Sequence, residues 1–537
     1  MPFHSFTFLF FLGAVLIVYY VLPGVCRRWV LLGANLLFYL YVGWEKLIFL
    51  VVTSILVYGC SVFIGKQYER MQHQIDVQGL KGKGKMMLQA NYKKKCKGPL
   101  IVSIVLIIGV LAYCKYTNML IDLWNQMRGL VGNKRIDTLK LIVPLGISYY
   151  TFSSVGYLLD IYWRKKKYEK NFLNLFVSMS FFPQMVQGPI ARYPKLIEQV
   201  KELKGFDYQR FCMALQLMLW GYFKKLVIAD RISVFVNQVF GNIGYYRGLI
   251  FVLALMASAV QLYADFSGCM DIVEGVAELF GIKLDKNFDL PFSSQSTAEF
   301  WRRWHVTLGA WFKDYVFFPM STASWNIKIS RFFKQKFGTR AGKTVTSIVP
   351  LIVVWLLTGI WHGTGLNYVL WGCYYGGIII ISSIFQPEFK KLTTLLRINT
   401  DTAGWKYFCR IRTFLIFCGG RLLTVPGSLI NTKLVIKNTL AVWNPWVLVD
   451  GTLFGFGLNA PNVWVLLLAI ALLGFVGHLH AKGVKIREWI DTQHIVVRWL
   501  IYFTAIFAVL IFGMYGANYH GSEFIYAGYF PRFMGSG

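Results

Sequence analysis

Two of the eight histidines stand where an ionisable side chain is costly. His362 closes the apolar run from Ile348 to Trp361, and Gly363, Thr364, Gly365 and Asn367 separate it from a second apolar run. It lies about 18 residues beyond the cation-rich stretch 326–343, about 27 Å along a helix. That puts it at membrane depth or toward the far face, with glycines that permit close backbone approach around the ring. A histidine kept from water there stays neutral and can take the proton of an attacking hydroxyl during acyl transfer. On spacing alone it is equally a helix-end histidine that hydrogen-bonds a neighbouring helix. His305 ends the run Phe300-Trp301-Arg302-Arg303-Trp304-His305. Trp301, Trp304, Leu308 and Trp311/Phe312 recur every three or four residues, the period of an amphipathic helix. The alternative for His305 is an interfacial aromatic belt with Arg302 and Arg303 snorkelling to the headgroups.

Other chemistries have no motif. There is no GxSxG or Cys–His signature, so a covalent acyl-serine is not indicated. No HExxH and no Cys/His cluster occurs, and no metal site is proposed. His478 and His480 lie two apart, which places them on one side of a strand but not of a helix. The nine cysteines include no CxxC, and Cys60, Cys114, Cys212, Cys373 and Cys418 read as small hydrophobes. Walker and dinucleotide glycine patterns are absent, and no tightly bound cofactor is expected.

The elements that position the histidines follow from composition. The 537 residues are 56% hydrophobic, 17% aromatic and 15% charged, with mean hydropathy +0.50. Soluble domains carry roughly 25% charged residues. The chain therefore reads as an all-α polytopic membrane protein, one integral membrane domain over 1–537, with about 11–12 transmembrane helices plus re-entrant or interfacial ones. The expected spans are 6–23, 29–43, 47–65, 99–122, 140–163, 206–228, 245–264, 344–361, 366–385, 413–430, 463–481 and 498–515. Residues 1–22 lack a basic leader region and read as a retained first helix. Two stretches, 171–192 and 266–320, are too broken for simple spans. Irregular backbone at membrane depth needs protein or water to satisfy it, so a cavity is expected there.

The net charge of +31 has no nucleic-acid motif behind it. Much of it gathers in four blocks, the loop 66–98, the run Arg164 to Lys167, the loop 326–343 and residues 389–412. All four are cytoplasmic if the N-terminus is outside, and 431–461 then faces outward. Lys224-Lys225 and Asp230-Arg231 fall on the outer side in that scheme, against the rule. No internal repeat supports a transporter built from inverted halves.

Several ordered segments resemble the membrane-bound O-acyltransferase (MBOAT) family, in its alginate O-acetyltransferase (AlgI) branch. They are Pro144-Leu145-Gly146-Ile147-Ser148-Tyr149-Tyr150-Thr151-Phe152, Tyr157 to Tyr162, Phe181-Phe182-Pro183-Gln184 with Gly188 to Tyr193, and Tyr222-Phe223-Lys224-Lys225 with Ile228 to Arg231. Tyr263 to Gly268, Phe300 to His305 with Asp314-Tyr315, and Trp361-His362-Gly363 complete the set. The resemblance covers 140–380 as a core, flanked by N-terminal helices 1–123 and looser C-terminal helices 390–537. After Phe318-Pro319 the chain departs, with Met320-Ser321-Thr322-Ala323 where the family carries a glycine pair.

The resemblance implies a central funnel with His362 at its base as catalytic residue and His305 as a second site residue near the cytosolic entrance. Asp265, Trp301, Arg302, Arg303, Trp304, Asp314, Tyr315, Trp361 and Asn367 become supporting residues. The acids have a structural alternative, pairing with Arg302, Arg303 or Lys313. Acetyl-CoA is the implied donor, with Lys328, Arg331, Lys334 and Lys336 as partners for its phosphates. The acceptor would be an extracytoplasmic polysaccharide, finished by an SGNH-hydrolase-like partner, at the cell membrane amid membrane lipids. D-alanyl transfer to teichoic acid (the DltB reaction) from a carrier-protein thioester, a non-enzymatic transporter and a scaffold are the rival readings.

Overall fold

The computed structural model describes residues 1–129, 136–185 and 187–515. Among them the regular structure is helical, with one isolated antiparallel bridge, Phe288 with Trp304. Among the described residues nine helices are long and apolar enough to cross a membrane. They are Gly24–Val42, Trp44–Val77, Gly82–Asp122, Tyr208–Gly241, Leu249–Leu279, Ser324–His362, Leu366–Ile384, Ala460–Ala481 and Ile495–Phe512. Each meets one of the twelve expected spans. The other three expected spans fall on Phe6–Val21 and Ile147–Tyr162, each 16 residues, and on Ala403–Thr424, which carries Lys406, Arg410, Arg412 and Arg421.

By contacts the chain divides into two compact units, 1–215 with 273–285, and 216–272 with 286–537. In the first, the expected loop 66–98 is instead mostly helix. Trp44–Val77 runs on past its apolar part, and a new helix begins at Gly82. Lys, Gln, Glu and Met favour helix almost as well as Leu, so only residues 78–81 turn. Gly79 takes φ +57 there, and Leu80 N–H donates to Ile75 O at 3.1 Å. Met71, Ile75 and Tyr92 pack the two limbs together.

The broken stretch 171–192 forms short helices, Phe172–Met179 and Phe182–Met185, in the first unit. Asn35, fully buried on Arg27–Val42, satisfies the backbone between them. Its Nδ2 donates to Val177 O at 3.2 Å and Ser180 Oγ at 3.0 Å. Its Oδ1 accepts from Phe182 N–H at 2.9 Å. One buried amide thus supplies the partners that a broken backbone needs away from water. Val186, in the same stretch, lies outside the described residues, as do residues 516–537.

In the second unit the expected loop 326–343 is a helical hairpin. Helix Ser324–His362 is interrupted at Gly338, which takes φ 88, ψ 171. The chain doubles back there. Asn326 Nδ2 donates to Thr346 O at 3.0 Å, and Ser330 Oγ to Gly342 O at 2.9 Å. A straight helix would hold residues 20 apart about 30 Å from one another. The returning limb carries Trp361 and His362 at its end and packs on Leu366–Ile384. At Gly372 a Cβ would stand 2.4 Å from Trp355 O, so this crossing requires glycine.

Candidate active site

His305 is placed by a break, not by the expected continuous helix from Trp301 to Phe312. Helix Thr297–Arg303 starts on Ser296, whose Oγ accepts from Glu299 N–H, and Val306–Phe312 follows separately. Between them His305 takes φ 48, ψ 54. For a residue with a Cβ this left-handed conformation costs roughly 1–2 kcal/mol. The neighbouring segment holds it. Asp289 N–H donates to Arg303 O at 3.0 Å, and Val306 N–H to Asn287 O at 2.9 Å.

The His305 side chain is buried, with 3% of its surface exposed. Phe266 meets its ring edge-on at 5.0 Å, and the Trp361 indole lies 5.9 Å away. His305 lies outside the nine spans, and burial pushes its imidazole pKa down, so the ring is neutral. His362 is half-buried at the end of its helix. Its ring stands 4.7 Å from Trp361 and 4.8 Å from Trp371. The two histidines, 57 residues apart in sequence, therefore flank one indole.

The aromatic supporting residues gather behind them. Trp301 packs at 5.2 Å from Trp355, 5.4 Å from Trp371 and 4.8 Å from Tyr375. Trp304 stacks on Phe300 at 5.4 Å. Such a wall of rings fixes orientation through edge-to-face contacts. Asn367, at the start of Leu366–Ile384, ties the turn after His362 to helix Ala403–Thr424, donating to Leu423 O at 3.1 Å.

The charged residues disperse. Arg302 is exposed. Arg303 pairs with Glu299 at 2.8 Å and donates to Ser293 Oγ at 2.9 Å. Asp314 is half-buried, and Tyr315 is buried with its ring 5.3 Å from Trp311. Asp265 pairs with Lys225 at 2.8 Å, rather than with the arginines or Lys313 proposed as its structural partners. Lys225 is fully buried and also meets Asp230 at 2.9 Å. Lys224 reaches Asp271 at 2.7 Å and Ser267 at 3.0 Å. These lysines sit in a π-helical segment, Phe223–Ala229, whose wider turn lets consecutive side chains point inward. They are internal ion pairs and do not count in the charge orientation that they seemed to violate. Lys328, Arg331, Lys334 and Lys336 are all exposed on the limb that precedes Gly338.

Sequence reasoning missed Asn287. It is fully buried, and its Oδ1 lies 3.0 Å from His305 Nδ1. Nothing in a single sequence marks it, because its partner is fixed by the bridge and not by helical spacing. Among the described residues no cluster of His, Cys, Asp and Glu could hold a metal ion.

Residues 164–421 match the family model for the membrane-bound O-acyltransferase family. The chain is 30% identical over 421 residues to the probable alginate O-acetylase AlgI of Pseudomonas aeruginosa, covering 76% of this chain and 72% of that one. It is 29% identical over 346 residues to the peptidoglycan O-acetyltransferase of Helicobacter pylori, covering 58% and 61%. With the teichoic acid D-alanyltransferase of Bacillus subtilis it shares 28% identity over 264 residues, 47% of this chain and 62% of that one.

Proposed function

The chain belongs to the membrane-bound O-acyltransferase family, and from that premise we propose that it moves an acetyl group from acetyl-CoA to a hydroxyl of an extracytoplasmic polysaccharide. The enzyme is an O-acyltransferase and a multi-pass membrane protein. The observation that carries the finer reading is the pair of histidines on one indole, His305 sealed and His362 half-buried. His362 takes the proton of the acceptor hydroxyl. The oxygen attacks the thioester carbonyl, the C–O bond forms, the C–S bond breaks, and the CoA thiolate leaves and is protonated. Only positioning and base help are asked of the protein, and general-base help is worth about 10²–10⁴-fold.

The cations on the hairpin limb suit the polyanionic CoA phosphates. An SGNH-hydrolase-like partner outside the membrane would complete delivery to the glycan. The names of the O-acetylating relatives, which align over more of this chain than the D-alanyltransferase does, favour acetyl over D-alanyl transfer. The test uses purified, bilayer-reconstituted protein with acetyl-CoA, with and without candidate glycans. His362→Ala is expected to lower kcat by about 10²–10⁴-fold. Transfer near the native rate in a correctly inserted His362→Ala protein would sink the assignment. A requirement for a carrier-protein thioester would transfer the reading to D-alanylation.

A further inference from the structure

The proton on the buried imidazole can be located from its neighbours. Asn287 Oδ1 receives the Thr307 backbone N–H at 3.1 Å and the Thr307 hydroxyl at 2.9 Å. A backbone N–H is always a donor, so the amide atom facing it is the oxygen and the amide orientation is settled. On its other side Asn287 Nδ2 approaches Met270 Sδ at 3.2 Å, a weak acceptor that suits an N–H. The same Oδ1 lies 3.0 Å from His305 Nδ1. An oxygen acceptor demands a donor, so His305 carries its proton on Nδ1. Nε2 is then the lone-pair nitrogen, and it is buried with no hydrogen-bond partner among the described residues.

We infer that Asn287 is a positioning residue that locks His305 in the Nδ1–H form and so keeps Nε2 as an acceptor for a substrate O–H or N–H. This rests on the reading of His305 as part of the transfer site. The geometry is unusual enough to ask for such a purpose. A buried nitrogen left without a partner is costly, and His305 also bears a left-handed backbone. Both costs fall on one residue, whose ring lies against the indole next to His362. Whatever group meets Nε2 must donate, which excludes a thioester carbonyl or a bare phosphate oxygen as its partner.

The experiment is solid-state NMR of the full chain in bilayers with ¹⁵N-labelled histidine, His305 being assigned by difference against His305→Gln. The native protein is expected to show a protonated Nδ1 and an unprotonated Nε2. Asn287→Ala is expected to populate the Nε2–H form and lower kcat about tenfold or more, with KM for acetyl-CoA little changed and the His362 signals unmoved. Asn287→Asp keeps the acceptor oxygen and should retain the Nδ1–H form, as should Thr307→Val, which removes only a hydroxyl donor. A native His305 protonated on Nε2 overturns the inference. So does retention of the Nδ1–H form in Asn287→Ala, whatever the rate does. If Asn287→Ala fails to insert, the native spectrum and Thr307→Val decide. A native protein that transfers no acetyl group would sink the proposed function, while the tautomer measurement stands on its own.

Discussion

Two sets of lysines in the second unit look alike in sequence and end in opposite places. Lys224 and Lys225 interrupt an apolar run and finish inside the protein, at 4% and 0% exposed, against Asp271, Asp230 and Asp265. Lys334 and Lys336 also neighbour aromatic residues, yet they stay on the surface of a helical limb, with Lys336 over the rings of Phe332 and Phe337. What separates them is the supply of acids. Asp230 and Asp265 lie on the same and the next long helix, close enough to neutralise a buried ammonium. The stretch 326–343 contains no acid at all. A buried charge without a partner is costly, so cations that lack acids remain where water or an anionic ligand can reach them. The first set is tied into the fold by ion pairs, and the second stays open to solvent.

The largest effect that sharpens this contrast is on Lys225. Lys225→Met strands two buried carboxylates and should cost about 3–5 kcal/mol of stability, read as a fall in the unfolding midpoint of the reconstituted protein. Adding Asp230→Asn and Asp265→Asn to the same chain should recover most of that loss, since removing a whole buried ion group is far cheaper than breaking it. Lys224→Met should cost less, because the Asp271 side chain keeps 21% of its surface exposed. A Lys225→Met protein as stable as the native one would break the comparison. On the other side, Lys334→Glu with Lys336→Glu should leave stability near native and raise the KM for acetyl-CoA several-fold, more at low salt than at high. An unchanged KM would return that limb to a purely topological part.

The sequence carried the spans because that signal is local, and it singled out both histidines as candidates. Length and hydropathy mark a membrane helix wherever it packs, and His362 betrays itself by closing an apolar run. Pairings across the chain were not legible. The helical period of Trp301 to Phe312 continues through the His305 break, since aromatic spacing survives a single left-handed residue. That residue is held by 287–289, a segment with no periodicity of its own. The fates of Asp265 and Lys225 depended on which helix lay opposite, and charge counting placed Lys225 on the outer side, against the rule. Gly338 was visible as a glycine, but a hairpin follows only from the cross-limb bonds of Asn326 and Ser330. Asn35 and Asn287 are the same lesson twice. Each is a buried amide that satisfies broken backbone or a buried ring, and asparagine in a loop or an apolar helix announces neither.

The smallest effect concerns Arg340, a cation of the hairpin that does find an acid. Arg340 grips Glu388 with both ends of its guanidinium, Nη1 to Oε1 at 3.0 Å and Nη2 to Oε2 at 3.1 Å. The hydrogen bond from Arg340 holds the Glu388 carboxyl below the ordinary glutamate range. Because the folded value is the lower one, the pair's contribution is complete above the unfolded value, about pH 4.3. It is lost as pH falls through the folded value beneath it. Both side chains are exposed, so water and salt screen most of the attraction, and geometry alone does not make the pair strong. Glu388→Gln should therefore leave the unfolding midpoint at neutral pH almost unmoved and remove a shallow acid-side slope below pH ~4. A loss at neutral pH comparable to that of Lys225→Met would mean that the hairpin limb is anchored as the buried lysines are. The division between a sealed set paired with acids and an open set left to solvent would then fail at its weakest point.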